Sequence, residues 1–379
     1  MNIKVNKEKV NTFLVILFIF MSSITIPIKK YTGSGSVVWL ITFFSLFLSI
    51  TINRRISKYY LYILFTILSL LFANILLVDY KVLVINEFIE IIKFAIIPLY
   101  LATNRINYQY FIKYWCWFCK LNFWILLFLL PDVISNDINY MVYGVSLAYS
   151  FTGFIYEYIF ESKNKICSLT YSIASLILIF IFGNRSSLLI CIIMYVILKI
   201  YNKKNIIKTS IFILFISTIG IYIYGNLKKV LILLQYILSK FSIYSYSITK
   251  YIMALDKGLI ESSSGREVKF IAAVDIIKSN PIKPHGIGYF THVTGMIYPH
   301  NIFLDLCITF GIIGTILSVI YGIVLILRIK YISDKRFKAL LVSIIVLEFI
   351  WLNFSGTFVE ESLFWVIIGI LTNVKRMEC

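Results

Sequence analysis

The segment Pro299-His300-Asn301-Ile302-Phe303-Leu304-Asp305 places a histidine where a long polar stretch meets a very apolar one. All three histidines of the chain, His285, His292 and His300, lie in this neighbourhood. Histidine is the side chain best suited to proton transfer near neutral pH. The pattern therefore indicates acid–base chemistry at His300, with Asp305 as a polar neighbour. The alternative is a histidine that only caps the helix that follows.

Two arginines have settings that indicate an anion site. Arg185 lies in Gly183-Asn184-Arg185-Ser186-Ser187, a tight turn where the N–H groups that open a helix and a guanidinium can bind a phosphate together. Arg266 stands in the first turn of a predicted helix, where a cation opposes the helix dipole, so helix stability does not explain it. The alternatives are an arginine that reaches lipid headgroups at position 185 and a solvated loop charge at position 266.

A third polar group lies inside an apolar segment. Glu87, Glu90 and Lys93 are three residues apart and share one helical face. Ionisable groups in a membrane helix face a cavity or one another, so these three line a substrate path or simply pair Glu90 with Lys93. The histidine spacing fits no standard zinc pattern, and we predict neither a metal site nor a cofactor.

The composition indicates a membrane protein. Of the 379 residues, 60% are hydrophobic and only 14% are charged, whereas a soluble domain has roughly 25% charged residues. The net charge of +18 is better explained by basic cytoplasmic loops than by nucleic-acid binding. Cys116-Trp117-Phe118-Cys119 has the spacing of a redox motif but lies in an apolar helix, which favours helix packing.

Recurrent apolar runs of about 20 residues predict an all-α, polytopic membrane helix bundle of about twelve transmembrane helices with a large, partly helical outer loop. The predicted spans are 11–28, 37–53, 59–78, 82–101, 111–130, 143–160, 166–182, 187–201, 206–225, 301–327, 337–354 and 361–374. Residues 1–225 thus hold spans one to nine, 226–300 form the loop, and 301–379 hold the last three spans and the C-terminal tail.

The basic residues in the short connections between the predicted spans indicate how the protein is oriented in the membrane. One set of connections carries 21 Lys and Arg residues and the other only four, namely Lys29, Lys30, Lys81 and Arg185. Basic residues are retained on the cytoplasmic side, so both termini are expected in the cytoplasm and residues 226–300 outside.

The long outer loop is rich in Ile, Tyr and Phe, so disorder is not expected. Residues 227–255 mix apolar and basic positions, which predicts helices along the membrane surface. Ser264-Gly265-Arg266-Glu267 has the pattern of a capping box and predicts a helix that ends before Pro281. Pro281, Pro284, Gly286 and Gly288 then predict an irregular turn.

At these residues the chain resembles the O-antigen ligase/polymerase family, the bacterial surface-polysaccharide polymerases and ligases. The resemblance covers mainly residues 180–325, and its specific part is the His-Asn-x-x-Leu stretch after a long outer loop. The residues that carry it are Gly183-Asn184-Arg185-Ser186-Ser187; Ser264-Gly265-Arg266, Asn280-Pro281 and Gly286-Ile287-Gly288; and Pro299 to Asp305 with Gly311-Ile312-Ile313-Gly314.

The resemblance implies an integral membrane glycosyltransferase that takes glycan from undecaprenyl diphosphate on the outer face of the cytoplasmic membrane. It implies that His300 is the general base for the acceptor hydroxyl and that Arg185 and Arg266 hold the diphosphate, in a metal-independent, inverting transfer. Two guanidiniums can stabilise the anionic leaving group where a metal otherwise would. The chain departs from the family at Lys283 and His285, where family members are often richer in glycine.

We predict an O-antigen or capsule polymerase in the cytoplasmic (inner) membrane. The alternatives are a ligase of the same family and a non-enzymatic flippase or transporter of lipid-linked oligosaccharide. A transporter predicts internal repeats and charges near mid-membrane; no repeat is evident, but Glu87, Glu90 and Lys93 keep this alternative open. The expected partners are an undecaprenyl-diphosphate-linked oligosaccharide and membrane lipid, with a chain-length regulator and a flippase as candidates, and no nucleic acid.

Overall fold

The computed structural model describes residues 6–33, 35–161, 164–202, 226–261 and 265–377, and within these ranges every regular element is a helix. The first half contains α1 (Lys7–Ile19), α2 (Met21–Thr32), α3 (Ser36–Asn53), α4 (Lys58–Leu77), α5 (Lys81–Ile91), α6 (Ile97–Ala102), α7 (Tyr108–Phe128), α8 (Leu130–Ile134), α9 (Tyr140–Phe160), α10 (Lys165–Phe182) and α11 (Arg185–Asn202). The second half contains α12 (Leu227–Ser239), α13 (Tyr246–Glu261), α14 (Arg266–Ser279), α15 (Tyr289–Thr294), α16 (Ile302–Leu327), α17 (Lys335–Phe354) and α18 (Ser362–Met377).

Helices occupy every predicted span except 206–225, which lies outside the described residues. Six of the described helices are long and apolar enough to cross a bilayer: α3, α4, α10, α11, α16 and α17. The first predicted span is bent by 60° between α1 and α2, and this pair is a seventh if it forms one span. The fourth is interrupted by a π-helical turn, Ile92–Ile96. The all-helical fold is therefore confirmed, whereas the number of twelve spans stays a prediction.

The first of two compact units comprises Met1–Trp115, Gly265–Lys338 and Glu348–Cys379. Buried amides join its helices: Asn11 Nδ2 donates to Leu101 O at 3.0 Å, and Asn373 Nδ2 donates to Thr103 O at 2.9 Å. Such bonds satisfy backbone carbonyls that have no access to water in a bilayer. An apolar cluster fixes the start of α16, and its buried members are Leu71, Ile91, Ala95, Ile287, Ile302, Leu306, Leu352, Phe358 and Val359.

The second unit comprises Cys116–Ser264 and Ala339–Leu347, with α9 packed against α10 and α11. Gly153 on α9 has no room for a side chain because the Cys119 side chain lies against it. Cys119 Sγ donates to Tyr149 O at 3.1 Å, and both Cys116 and Cys119 are buried free thiols. The two cysteines therefore pack helices, as predicted.

The predicted outer loop contains the expected helices, with one correction at a helix start. α12 and α13 cover most of 227–261, while their position along a membrane surface stays a prediction. α14 ends before Pro281, as predicted, but the residue that precedes it is Gly265, at φ 79° and without a side-chain cap. Glycine adopts this left-handed conformation readily, so the helix starts one residue later than the capping box requires. Ser264 lies outside the described residues.

Candidate functional site

His300 is the residue before the cap of α16. It is buried, and its φ of 59° lies in the left-handed region that side-chain-bearing residues seldom adopt. Asn301 Oδ1 accepts hydrogen bonds from the N–H groups of Phe303 and Leu304 at 3.0 and 3.1 Å. Because Asn301 supplies the helix cap, the capping role that sequence offered as the alternative for His300 is wrong.

Two cations of α14 act on His300. Arg266 and Lys269 lie one turn apart, and Lys269 Nζ is 2.8 Å from His300 Nε2. Burial, followed by the charges of Lys269 and Arg266, lowers the pKa of His300 to about 4. The imidazole is therefore neutral at physiological pH, as a general base must be. Burial and the nearby cations cause this lowering.

The three histidines differ in their aromatic neighbours. Tyr298 packs edge-on against His300, with ring centroids 4.5 Å apart. His285 stacks on Tyr289, and His292 is exposed and stacks on Tyr80. Among the described residues no group of three or more His, Cys, Asp or Glu side chains is placed to hold a metal ion.

The helix after His300 is broken at Gly311, which has φ 68° and ψ 173°. The freed backbone groups bond to the irregular turn that precedes α15. His285 N donates to Ile308 O at 3.0 Å, Gly286 N donates to Thr309 O at 3.2 Å, and Ile312 N donates to Pro281 O at 2.9 Å. The Gly311–Gly314 motif thus ties the loop that carries His300 to the apolar helix.

A partly open cavity lies beside the His300 segment and is lined in part by Tyr298 and Pro299. Its polar lining combines carboxyl, phenol and hydroxyl groups: Glu87, Asp305, Glu360, Tyr289, Tyr298, Thr291, Thr309 and Thr357. Thr357 Oγ1 donates to Asp305 Oδ2 at 2.7 Å, which fixes that carboxyl group. Clefts that mix aromatic faces with a few oriented polar groups are suited to small polar ligands such as sugars.

The charged residues of α5 and of the π-helical turn after it have two different roles, one at the cavity and one in an ion pair. Glu87 lines the cavity. Glu90 and Lys93 form an ion pair at 2.5 Å, with Lys93 Nζ also 5.4 Å from the centre of the Trp39 ring. The structural pairing that sequence analysis offered as one alternative therefore describes Glu90 and Lys93, and the cavity alternative describes Glu87.

Arg185 belongs to the second unit and is the first residue of α11. The turn before it is held by Asn184 Oδ1, which accepts from the N–H of Ser187 at 3.2 Å and from the Ser187 hydroxyl, and by the Ser247 hydroxyl, which donates to Gly183 O. Asn184 Nδ2 and Ser186 Oγ are buried without a hydrogen-bond partner in the part of the chain that the structure describes. The turn thus offers unsatisfied donors next to a guanidinium, as an anion site needs.

Sequence reasoning missed several residues around His300. Lys269 carried a signal, because it lies three residues after Arg266 and so on the same face of α14. Tyr298 lay next to the quoted motif but suggested no chemistry. Thr357 comes from a segment more than 50 residues away, and no local pattern connects it with Asp305.

The comparisons agree with the sequence resemblance. Residues 170–319 match the Wzy_C family model, described as O-antigen ligase. No curated protein and no solved structure matched in the other two comparisons. The matched range includes the Arg185 turn, α14, His300 and the break at Gly311. Together with the apolar helices, this match indicates a multi-pass membrane protein with a region similar to the O-antigen ligase family.

Proposed function

We propose that the protein is a polysaccharide polymerase that transfers glycan from a polyprenyl diphosphate to the hydroxyl of an acceptor sugar. The observation that carries the proposal is a buried, neutral His300 in contact with Lys269 and near Arg266, next to a carboxylate-lined cavity. Base, cations and cavity are the three parts that such a transfer needs.

The donor substrate carries its negative charge on the diphosphate, next to the bond that breaks. Cations are therefore needed at the diphosphate. As the C1–O bond to the diphosphate breaks, negative charge grows on the leaving oxygen. Arg266 and Lys269 supply positive charge beside the base, where fixed charges stabilise a transition state without reorganisation. The Arg185 turn, with its unsatisfied Asn184 and Ser186 donors, is proposed in its own right as a diphosphate-binding element.

The acceptor is a polyhydroxylated sugar, and the cavity suits it. Glu87, Asp305 and Glu360 can accept hydrogen bonds from sugar hydroxyls, while Tyr289 and Tyr298 offer ring surface. The segment that holds His300 also lines this cavity through Tyr298 and Pro299. In this proposal an acceptor hydroxyl bound at that end of the cavity gives its proton to the imidazole as the new glycosidic bond forms.

The arginine prediction tests the diphosphate role. Arg185→Lys and Arg266→Lys should each lower polymer formation by on the order of 10²-fold, because lysine keeps the charge but not the bidentate fork. The assay uses purified variants, the lipid-linked repeat unit and a gel that resolves chain length. Arg336→Lys, at an exposed position on α17, is the control and should behave like the parent. Normal polymer from both test variants at equal expression would rule out diphosphate binding by these arginines.

The orientation proposal places residues 226–300 and the site outside the cytoplasm. Alkaline phosphatase fused after residue 265 should be active, and the same fusion after residue 335 should be inactive, because the enzyme matures only outside the cytoplasm. The opposite pattern would place His300 on the cytoplasmic side and would contradict an extracytoplasmic transfer.

A ligase of the same family is the second candidate, since the matching family model is described as O-antigen ligase. The two functions differ in the acceptor. A polymerase adds repeat units to lipid-linked glycan and produces a ladder from one lipid-linked substrate. A ligase produces no ladder from that substrate and instead joins one glycan to a second, chemically different acceptor.

A further inference from the structure

The contact between Lys269 and His300 raises a chemical difficulty for the resting protein. Lys269 Nζ lies 2.8 Å from His300 Nε2, so one of these nitrogens donates to the other. An amine holds a proton far more strongly than an imidazole does, with ordinary pKa values of about 10.4 and 6.5. Lys269 is therefore the donor, and the lone pair of Nε2 is occupied.

The other nitrogen of His300 offers no alternative. With Nε2 as acceptor, a neutral imidazole carries its proton on Nδ1. Nδ1 is buried and has no hydrogen-bond partner among the described residues. Neither ring nitrogen is thus free to accept a proton from an acceptor hydroxyl in this arrangement.

We propose that Lys269 is a latch: the diphosphate of the donor substrate draws the Lys269 ammonium away from His300 and thereby frees Nε2 as the base. This inference rests on the proposed function, since it assumes a diphosphate donor and a histidine base. It adds a residue that couples donor binding to the exposure of the base.

Lys269 should leave His300 because a diphosphate attracts its ammonium group more strongly than a neutral imidazole does. A neutral imidazole is a weaker partner for an ammonium group than a diphosphate, because the diphosphate oxygens carry opposite charge and add Coulomb attraction to the hydrogen bond. Arg266 lies one turn earlier on α14, so a diphosphate bound by Arg266 would lie within reach of the flexible lysine stem. Lys269 is half-buried, which leaves its head group room to move.

Once Nε2 is free, the proton and the electron pair of the glycosyl transfer can both be accounted for. The acceptor hydroxyl gives its proton to His300 Nε2, and its oxygen forms the bond to the sugar C1. The C1–O bond to the diphosphate breaks, and that electron pair leaves with the diphosphate, whose charge Arg266 and Lys269 offset. Without a donor, Lys269 keeps the base covered, so the acceptor is not activated prematurely.

The direct test uses nitrogen-15 NMR of the full-length protein in lipid bilayers, labelled only at its three histidines. At pH 7 we expect the His300 signals of a neutral ring with its proton on Nδ1 and Nε2 hydrogen-bonded; His300→Asn assigns them. Farnesyl diphosphate is the probe for the donor, and farnesol is its control. We expect the diphosphate, and not the alcohol, to shift His300 Nε2 to an unbonded lone pair.

The outcomes separate the latch from the function it depends on. If farnesyl diphosphate binds, and Arg266→Gln weakens that binding, but the His300 signals stay unchanged, the latch is wrong and the diphosphate site stands. If farnesyl diphosphate does not bind at all, both the latch and the proposed anion site are wrong.

Variants of Lys269 give an independent readout in the pH profile. The charged and titratable groups that face this pair are Arg266, Tyr298 and, through Tyr298, Glu360 and Glu361. Lys269→Met removes one cation, so the acid limb of kcat/KM should move from near pH 4 toward the ordinary histidine value, with a higher KM for the donor. Lys269→Arg should restore the parental limb, and Lys278→Met, at an exposed position of α14, should leave it unchanged. An unchanged limb in Lys269→Met would overturn the latch.

Discussion

His300→Asn is expected to lower glycan transfer by about 10²- to 10⁴-fold, the usual contribution of a general base. Asparagine is the informative replacement because it tolerates the left-handed backbone of residue 300, where φ is 59°. The variant removes the imidazole with little added strain. Binding of the lipid-linked donor should be largely retained, since the base acts on the acceptor. The measurement is single-turnover transfer together with donor affinity.

The same residue sets the expected pH dependence. Only neutral imidazole can accept the proton, so activity is present above the pKa of His300 and is lost as pH falls through it. Because that pKa is lowered to about 4, kcat/KM should stay level through the range near 6.5 where an ordinary histidine titrates. Bound diphosphate offsets the cations, so the acid limb of kcat should lie at higher pH than that of kcat/KM.

The other histidines are the controls. His292 is exposed and stacks on Tyr80, so His292→Gln should retain most activity. His285→Gln should be milder than His300→Asn. If His300→Asn still produces long polymer while His285→Gln or His292→Gln does not, the wrong histidine has been assigned as base. If all three variants are active, base catalysis by histidine is wrong, and Asp305 or Glu87 becomes the better candidate.

Gly311→Ala is expected to reduce folded stability by about 3 kcal/mol, from backbone strain and steric overlap together. Residue 311 has φ 68° and ψ 173°, a region that only glycine occupies freely. A Cβ at this position would also collide with Ile282 O. The measurement is the midpoint of thermal unfolding in detergent, followed by tryptophan fluorescence.

A second glycine of the same helix is a matched control for this prediction. Gly322 lies within the regular part of α16, and a Cβ there meets no atom within 4 Å. Gly322→Ala should therefore keep or raise stability, by up to about 1 kcal/mol, because alanine favours the helix. Equal stability of Gly311→Ala and Gly322→Ala would show that the break at residue 311 is not a constraint on the fold.

Apolar runs predicted the helices well because a bilayer leaves the backbone few alternatives to a helix. The sequence could not predict their interruptions. The π-helical turn at 92–96 and the 60° bend between α1 and α2 lie inside stretches predicted as single spans, so hydrophobicity alone does not encode them. The break at Gly311 left a local sign, a glycine motif, but its partner segment at 281–286 could not be identified from spacing.

The residues of the candidate site also fall into two groups, those that the sequence indicated and those that only the structure identified. His300 and Arg266 stood out because a base and a cation in an apolar chain have few structural reasons to be there. Lys269 is one of many lysines in the sequence; its spacing from Arg266 was a weak signal, and its 2.8 Å contact with His300 identifies it. Asp305, by contrast, was expected near His300 on spacing, and the structure places it in the wall of the adjoining cavity with Thr357.

The hydrogen bonds at the break in α16 make the loop at residues 281–286 inseparable from that helix. Gly311 lies nine residues, or about 14 Å, along the helix from Ile302. Three backbone bonds from 281–286 satisfy α16 near that depth. A loop cut out and expressed as a soluble fragment would lose these partners, and α16 alone would leave polar backbone groups facing hydrocarbon at several kcal/mol each. Transplanting the loop between relatives should accordingly fail unless residues 302–314 move with it.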